Sequence, residues 1–198
     1  MTLRAVLSFA AMQVGWFACV VGAAHGHPWL GPAVVLATLA LHVRQKPTRE
    51  QAREVVVLAA AVVLGFLVDT ALLRAGVIVL PGARVSPPWL VALWPNLAAT
   101  TAPGGSLRAL ARRPLVGVLL GAISGPLAYE AGARLGAISL DPSRGRALVL
   151  LGLAWAGVLP FFFLLRKGVE SSDRRHGSSR KGTPRGLEAR PSPEPREP

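Results

Sequence analysis

Six apolar runs, separated by short polar or basic segments, constrain this chain more than any other feature of its sequence. At ~1.5 Å of rise per residue, about 20 apolar residues in a helix cross the hydrocarbon core of a bilayer. The second and fourth runs have 15 residues each and could be partial insertions. The runs lie at residues 3–24, 29–43, 55–73, 88–102, 115–137 and 147–165. The pattern predicts an all-α, polytopic membrane helix bundle with about six transmembrane helices.

Composition supports this interpretation, because 52% of the 198 residues are hydrophobic and 16% are charged. The apolar part of the first run exceeds the 7 to 15 residues of a signal-peptide h-region, and Gln13 and Trp16 interrupt it, so a retained helix is favoured. The net charge of +12 comes from basic residues in short clusters between apolar runs, which argues against a nucleic-acid-binding face. The single cysteine, Cys19, excludes an intramolecular disulfide.

The distribution of Lys and Arg predicts the orientation of the spans. When Arg4 at the start of the first run is counted with those between and after the runs, 17 of these residues fall on the side of the N-terminus and four on the opposite side. Since basic residues are enriched in cytoplasmic segments, both termini are expected in the cytoplasm.

The chain divides into a transmembrane domain of residues 1–167 and a tail of residues 168–198. The tail is basic and rich in Pro, Ser, Gly and Arg, and its aliphatic residues are Val169 and Leu187. It cannot bury enough apolar area to fold alone, so a disordered cytoplasmic tail is predicted. Its first basic residues could also hold it against anionic lipid.

Ionisable residues within the runs define a candidate site. Asp69 is 16 residues past Arg53, and Glu130 is 17 past Arg113, so both carboxylates are expected at about 24 to 26 Å from the inner side. Glu130 and Arg134 are spaced i, i+4 on one helical face. Further candidates at or near this level are Arg74 and Tyr129.

Two interpretations of this level remain open. In the functional one, Asp69 and Glu130 are held by Arg134 and Arg74 in a pocket that faces the periplasm, with Tyr129 as a hydrogen-bonding wall. In the structural one, the arginines reach lipid headgroups and the charges clasp the third and fifth spans together. Deeper in the membrane, the amides of Gln13 and Asn96 either join helices or line a polar path toward Asp69.

Residue types needed for other chemistry are sparse. His25 and His27 lie two apart in a turn with no third ligand nearby, so no metal site is predicted. Ser106, Thr100 and Thr101 have no neighbouring base at a recognisable spacing, so no catalytic residue is assigned, and no cofactor is expected.

Matching residues at fixed offsets suggest three parallel two-helix repeats. At an offset of 60, Gly65 and Gly76 match Gly125 and Gly136, and at an offset of 50, Gly15 and Gly26 precede the first pair.

A set of short motifs between about Leu7 and Leu165 resembles a known family. The motifs are Gln13 with Trp16-Phe17-Ala18-Cys19-Val20, Asp69, Pro88-Trp89, Leu93-Trp94, Ala99-Thr100-Thr101, Ser106-Leu107, and Gly125-Pro126-Leu127-Ala128-Tyr129 through Ala131-Gly132 to Leu135-Gly136-Ala137. As a set they resemble the bacterial inner-membrane family catalogued as domain of unknown function 2878. Around residues 103–108 the chain departs from that pattern with Pro-Gly-Gly. The resemblance implies a polytopic inner-membrane protein and supplies no activity.

These observations favour a non-enzymatic membrane protein that binds a small or lipidic ligand, or a membrane partner, near the periplasmic face. The alternatives are a small proton-coupled transporter and a membrane enzyme of lipid metabolism. The expected partners are the lipid bilayer and either another membrane protein or further copies of this chain.

Overall fold

A computed structural model describes residues 2–180, with side chains as far as residue 171. This part of the chain contains seven α-helices and one two-stranded ribbon. The helices are α1 (Leu3–Ala24), α2 (Leu30–Arg44), α3 (Thr48–Arg74), α4 (Pro88–Ala99), α5 (Pro114–Arg134), α6 (Arg144–Ala156) and α7 (Val158–Arg180), the strands are β1 (Ile78–Val79) and β2 (Ser139–Leu140), and a 3₁₀ helix covers Arg108–Arg112. The prediction of an all-α architecture is confirmed.

The helices pack mainly as sequential hairpins. α1 packs on α2, α3 on α4 and α5 on α6. α1 and α2 also contact α4, while α7 contacts α3, α5 and α6. The central α4 therefore lies against the first hairpin and α3, and α7 joins the third hairpin to α3.

Three of the long helices end in the same way. A glycine with positive φ follows each end, at Gly26 (φ 79°), Gly76 (φ 69°) and Gly136 (φ 85°). In each case the next residue donates its N–H to a carbonyl five residues earlier, which is the Schellman arrangement that satisfies free helix-end carbonyls. These bonds run from His27 to Gly22, from Val77 to Leu72 and from Ala137 to Gly132.

The ribbon fixes the relation between α3 and α5. β1 directly follows α3, β2 directly follows α5, and the strands pair antiparallel with Ile78 opposite Leu140. The C-terminal ends of α3 and α5 consequently lie at the same end of the bundle. Ile78 and Ile138 are buried there, beside Tyr129.

Four helical segments are long and apolar enough to cross a membrane, which is consistent with a multi-pass membrane protein. They are Leu3–Ala24, Thr48–Arg74, Pro114–Arg134 and Arg144–Ser171. The last includes α6 and α7, which are separated at Gly157, three residues before Pro160. Proline has no N–H to bond the carbonyl four residues earlier, so the break has a local cause.

The predicted count of six spans is not decided by helix length. α2 is a shorter apolar helix of 15 residues, and α4 has 12 residues with Pro95 inside it. The count of six and the three repeats therefore remain predictions.

The predicted tail boundary at residue 168 falls within a helix. α7 continues from Val158 to Arg180, and the division of the chain into a domain and a disordered tail remains a prediction. A helix that emerges from a packed bundle can continue outward because each added residue extends a ladder that already exists. The rest of the predicted disordered tail, residues 181–198, lies outside the described residues.

Candidate functional site

Asp69 is the centre of a buried polar cluster between three helices. Its side chain on α3 has no solvent-exposed area. Trp94 on α4 donates its indole N–H to Oδ2 at 2.8 Å, and Tyr129 on α5 donates its hydroxyl to Oδ1. Both carboxylate oxygens thus have a donor, which is the arrangement that a buried carboxylate requires.

Two glycines let large aromatic rings approach the helices of this cluster. A Cβ at Gly65 would overlap the Trp94 ring, and a Cβ at Gly125 would overlap the Trp155 ring. The two indoles lie with centroids 5.0 Å apart, and the Tyr129 ring meets Trp155 edge to face at 6.0 Å. Geometry of this kind adds to the stabilisation that burial of aromatic area provides.

Beside the cluster, a groove of about 520 Å³ lies between α1 and α5 with α4 as its floor. This volume is in the range of small-molecule pockets. Tyr129, Trp94 and Trp155 each contribute to its wall, so the Asp69 cluster supports the groove from behind. The lining residues are Phe9, Met12, Gln13, Trp16, Val20, Trp89, Leu90, Leu93, Trp94, Asn96, Leu97, Leu107, Leu120, Gly121, Ser124, Leu127, Ala128, Tyr129, Gly132, Ile138, Trp155 and Leu159.

Gln13 and Asn96 both reach the groove but have different roles. Asn96 is buried and donates its side-chain N–H to the carbonyl of Met12 at 2.9 Å, and it fills the space over Gly15. It therefore joins α4 to α1, as one of the two sequence interpretations proposed. Among the residues whose side chains are described, Gln13 has no hydrogen-bond partner.

Asp69 and Glu130 do not share arginines, although one of the two interpretations of this level required it. Arg134 donates to Glu130 at 2.9 Å along one face of α5, and Arg144 is 3.4 Å from the same carboxylate oxygen. Within residues 2–171, Asp69 forms no ion pair with Arg74 or Arg134.

Helix rotation explains this correction. Asp69 and Tyr129 point into the bundle, whereas the Arg134 side chain is 75% exposed and Arg74 is on the surface. Counting residues along a helix gives the height of a side chain but not the direction in which it points. The two carboxylates therefore share a region of the bundle without sharing partners.

Sequence reasoning missed a second buried cluster, which lies at the other end of α3. The guanidinium of Arg166 makes two bonds of 2.8 Å to Glu54, one to each oxygen, and both residues are 4% exposed. Arg166 also donates to the Thr101 hydroxyl at 2.7 Å and to the Ala98 carbonyl at 2.9 Å.

Two residues of the α2 end complete this cluster. His42 Nε2 lies 3.1 Å from Glu54 Oε1, and Lys46 Nζ lies 3.3 Å from Oε2. In the sequence, Glu54 directly precedes the third apolar run and Arg166 directly follows the sixth, and Arg166 was counted only toward topology. A usable signal was the position of Glu54 directly before the third apolar run, because a carboxylate at the edge of the hydrocarbon region needs a cation.

No metal centre emerges from the part of the chain that is described. Within it, no three His, Cys, Asp or Glu side chains come together as metal ligands do. His25 is exposed, and its Nδ1 lies 2.9 Å from the carbonyl of Val21. The expectations of no metal and no cofactor remain predictions.

The fold is all-helical, its long apolar helices are consistent with a multi-pass membrane protein, and its buried polar groups lie on internal helix faces. A family model described as protein of unknown function (DUF2878) matches residues 5–161, and the chain belongs to this family. The resemblance inferred from its motifs is thereby confirmed. No curated protein and no solved structure matches the chain.

Proposed function

We propose that this protein binds an apolar ligand taken from the lipid bilayer in the groove between α1 and α5. The groove itself carries this proposal: a space of about 520 Å³ with a mostly apolar lining and a few polar side chains has the character of a ligand site. The proposal sharpens the sequence-based expectation of a small or lipidic ligand.

The position of the groove supports access from lipid. Its walls belong to α1 and α5, two segments long and apolar enough to span a bilayer. Large apolar side chains on the outer surfaces of both helices are exposed, including Phe17, Leu119 and Ile123. In a bilayer these surfaces would face acyl chains, so a ligand could enter sideways without crossing water.

The Asp69 cluster has a supporting role in this proposal. Its two donors, Trp94 and Tyr129, are groove-wall residues whose polar ends are fixed by the carboxylate. A wall with fixed aromatic rings loses less conformational entropy when a ligand binds.

Tryptophan fluorescence offers a direct test, because four of the five tryptophans line the groove and the fifth, Trp29, is 69% exposed. The full chain, with Trp29→Phe to lower background, is reconstituted in phosphatidylcholine nanodiscs and titrated with dibromo-octadecane, whose bromines quench nearby indoles. Saturable quenching is expected.

Two matched variants separate binding from simple partitioning. Ala128→Phe fills the groove, whereas Ala59→Phe adds the same ring to an exposed position of α3. Saturable quenching should be lost in Ala128→Phe and kept in Ala59→Phe. Linear quenching that is equal in all three proteins would contradict the proposal.

Proton-coupled transport is the second candidate, because Asp69 is a buried carboxylate whose two donors face the groove. Flux that depends on a pH gradient in proteoliposomes, and that Asp69→Asn abolishes while the protein stays folded, would favour it. A membrane enzyme of lipid metabolism is the third candidate, and chemical conversion of an added lipid would favour it. Binding of a membrane partner or a second copy of the chain is the fourth candidate, and the exposed apolar surfaces favour it.

We also propose that the protein lies in a bacterial inner membrane with both termini in the cytoplasm. The charge distribution supports this orientation. It would place Glu54 and Arg166 at the cytoplasmic end, and the ribbon and Asp69 toward the periplasm.

The three hairpins support the proposal of three two-helix repeats within six spans. Gly26, Gly76 and Gly136 follow equivalent helix ends. An indole ring packs directly against Gly65, and another packs against Gly125.

A further inference from the structure

The two walls of the groove carry uncharged polar side chains at the same height. Gln13 on α1 and Ser124 on α5 both line the groove. Gln13 is ten residues from the first residue of α1, Leu3, and Ser124 is ten from the first residue of α5, Pro114. Each therefore lies about 15 Å along its helix.

The two helices start at the same end of the bundle, so these heights can be compared directly. The loop before α5 lies beside the start of α1, where the N–H of Ser106 donates to the Ser8 hydroxyl at 3.4 Å. Gly104 of the same loop lies against the Arg4 side chain. Gln13 and Ser124 thus face one groove at one level, about halfway along two helices of 22 and 21 residues.

Neither side chain is satisfied by the protein. Within residues 2–171, neither the Gln13 amide nor the Ser124 hydroxyl has a hydrogen-bond partner, in contrast to Asn96 nearby. In the hydrocarbon region water is not available to replace one, so unpaired polar groups are costly there. Two such groups that line one groove indicate a ligand that brings its own polar atom to this depth.

The groove also restricts the charge of that ligand. Every residue that lines it is uncharged, although the chain has 22 Lys and Arg and ten Asp and Glu. A charged headgroup at this depth would have no counter-ion and would retain its full desolvation cost. Both the amide and the hydroxyl can donate and accept, so a neutral carbonyl or hydroxyl oxygen suits them equally.

We propose that the groove selects an uncharged lipid chain that carries a hydrogen-bonding oxygen partway along its length, held by Gln13 and Ser124. This inference rests on the proposed function, since it specifies the ligand of the same groove. A plain acyl chain would place only methylene groups at this level. A phospholipid would place its oxygens at the membrane surface.

Three brominated probes test the inference in the nanodisc assay: dibromo-octadecane, the same chain with a mid-chain ketone or hydroxyl, and a phosphatidylcholine with brominated acyl chains. A hydrogen bond to a neutral group corresponds to about a 3- to 10-fold gain in affinity, so the oxygen-bearing chain should bind that much more tightly than the alkane. In Gln13→Leu and Ser124→Ala that preference should shrink, and in the double variant it should fall to less than about twofold. Alkane affinity should not fall in these variants, because an apolar side chain in the groove does not oppose an apolar ligand. A melting temperature in detergent like that of the wild type shows separately that the variants fold.

The outcomes separate the two proposals. Equal binding of the alkane and the oxygen-bearing chain to the wild-type protein would overturn this inference and leave the groove a general apolar site. Tighter binding of the phosphatidylcholine would also overturn it, in favour of headgroup recognition. Saturable binding of none of the probes would overturn the proposed function itself.

Discussion

Tyr129 donates its hydroxyl to the carboxylate of Asp69, sixty residues earlier in the chain and on a different helix. Trp94 donates to the other oxygen of the same carboxylate, so a single buried acid joins α3, α4 and α5. None of the described basic residues pairs with it. Hydrogen bonds from neutral donors therefore satisfy this buried carboxylate. Its removal should destabilise the packing of all three helices.

Replacing Asp69 or Tyr129 in this cluster should destabilise the protein. Tyr129→Phe leaves Oδ1 of Asp69 without its donor and should cost about 1–3 kcal/mol of unfolding free energy. Asp69→Leu leaves the indole N–H of Trp94 and the hydroxyl of Tyr129 without an acceptor, so the loss of unfolding free energy should be larger. Asp69→Asn should be intermediate, because its amide cannot accept from both Trp94 and Tyr129. Thermal unfolding in detergent, followed by tryptophan fluorescence, measures the order, and equal stability of Tyr129→Phe and wild type would contradict it.

The glycines under the indoles should not tolerate a methyl group. In Gly65→Ala and Gly125→Ala the added Cβ would overlap Trp94 and Trp155, and overpacking of this kind costs typically 1–3 kcal/mol. Gly145→Ala in α6 is the matched control, since its Cβ would have no neighbour within 4 Å. That control should be neutral or stabilising by up to about 1 kcal/mol, because alanine favours helix. Melting curves that rank all three variants alike would refute the close-packing account.

The Glu54 and Arg166 pair should be far more sensitive than the pair of Glu130 and Arg134. Arg166→Ala leaves a buried carboxylate with weaker partners and should destabilise by about 3–5 kcal/mol. Arg134→Ala removes a side chain that is 75% exposed and should cost less than about 1 kcal/mol.

A double replacement, Glu54→Leu with Arg166→Met, provides the check on this interpretation. It removes both charges, so it should recover much of the stability lost in Arg166→Ala. Melting temperatures in detergent are compared for the wild type, Arg166→Ala and the double variant. A double variant less stable than Arg166→Ala would mean that the pair contributes a net attraction that apolar packing cannot replace.

The proposed orientation can be tested with the cysteine background that the chain supplies. Cys19 is fully buried and should react slowly with maleimides. Arg84→Cys, in the loop between β1 and α4, should be labelled by a membrane-impermeant maleimide in intact spheroplasts. Arg49→Cys, near the start of α3, should be labelled only after the membrane is opened. The reverse pattern would place both termini outside.

The sequence indicated part of the buried cluster before the structure was known. Asp69 stood out as an ionisable residue within a long apolar run, and Tyr129 lies in the motif that carries the family resemblance. Trp94 also lies in one of the family motifs, but the sequence could not identify it as the indole that bonds Asp69. Its partner is 25 residues away across a hairpin, where neither periodicity nor spacing gives the rotation of one helix about another.

The second cluster was missed for a related reason. Arg166 and Glu54 are 112 residues apart, and each lies near the end of an apolar run. Charges at the ends of apolar runs commonly face headgroups or water, so Arg166 was counted only toward topology and Glu54 was given no role. Burial of the pair depends on α7 packing beside α3, a contact that the local sequence does not specify.

The amino-acid sequence by itself determined the helical class, the long apolar segments and the family, since each follows from local composition or from motifs. Tertiary structure alone decided which polar side chains meet. It joined Asp69 to Tyr129 and Trp94, left Glu130 to Arg134 and Arg144, and opened a groove between α1 and α5. The physical reason is that helix formation is satisfied within each segment, whereas the partner of a buried polar group is set by how the helices rotate and pack together.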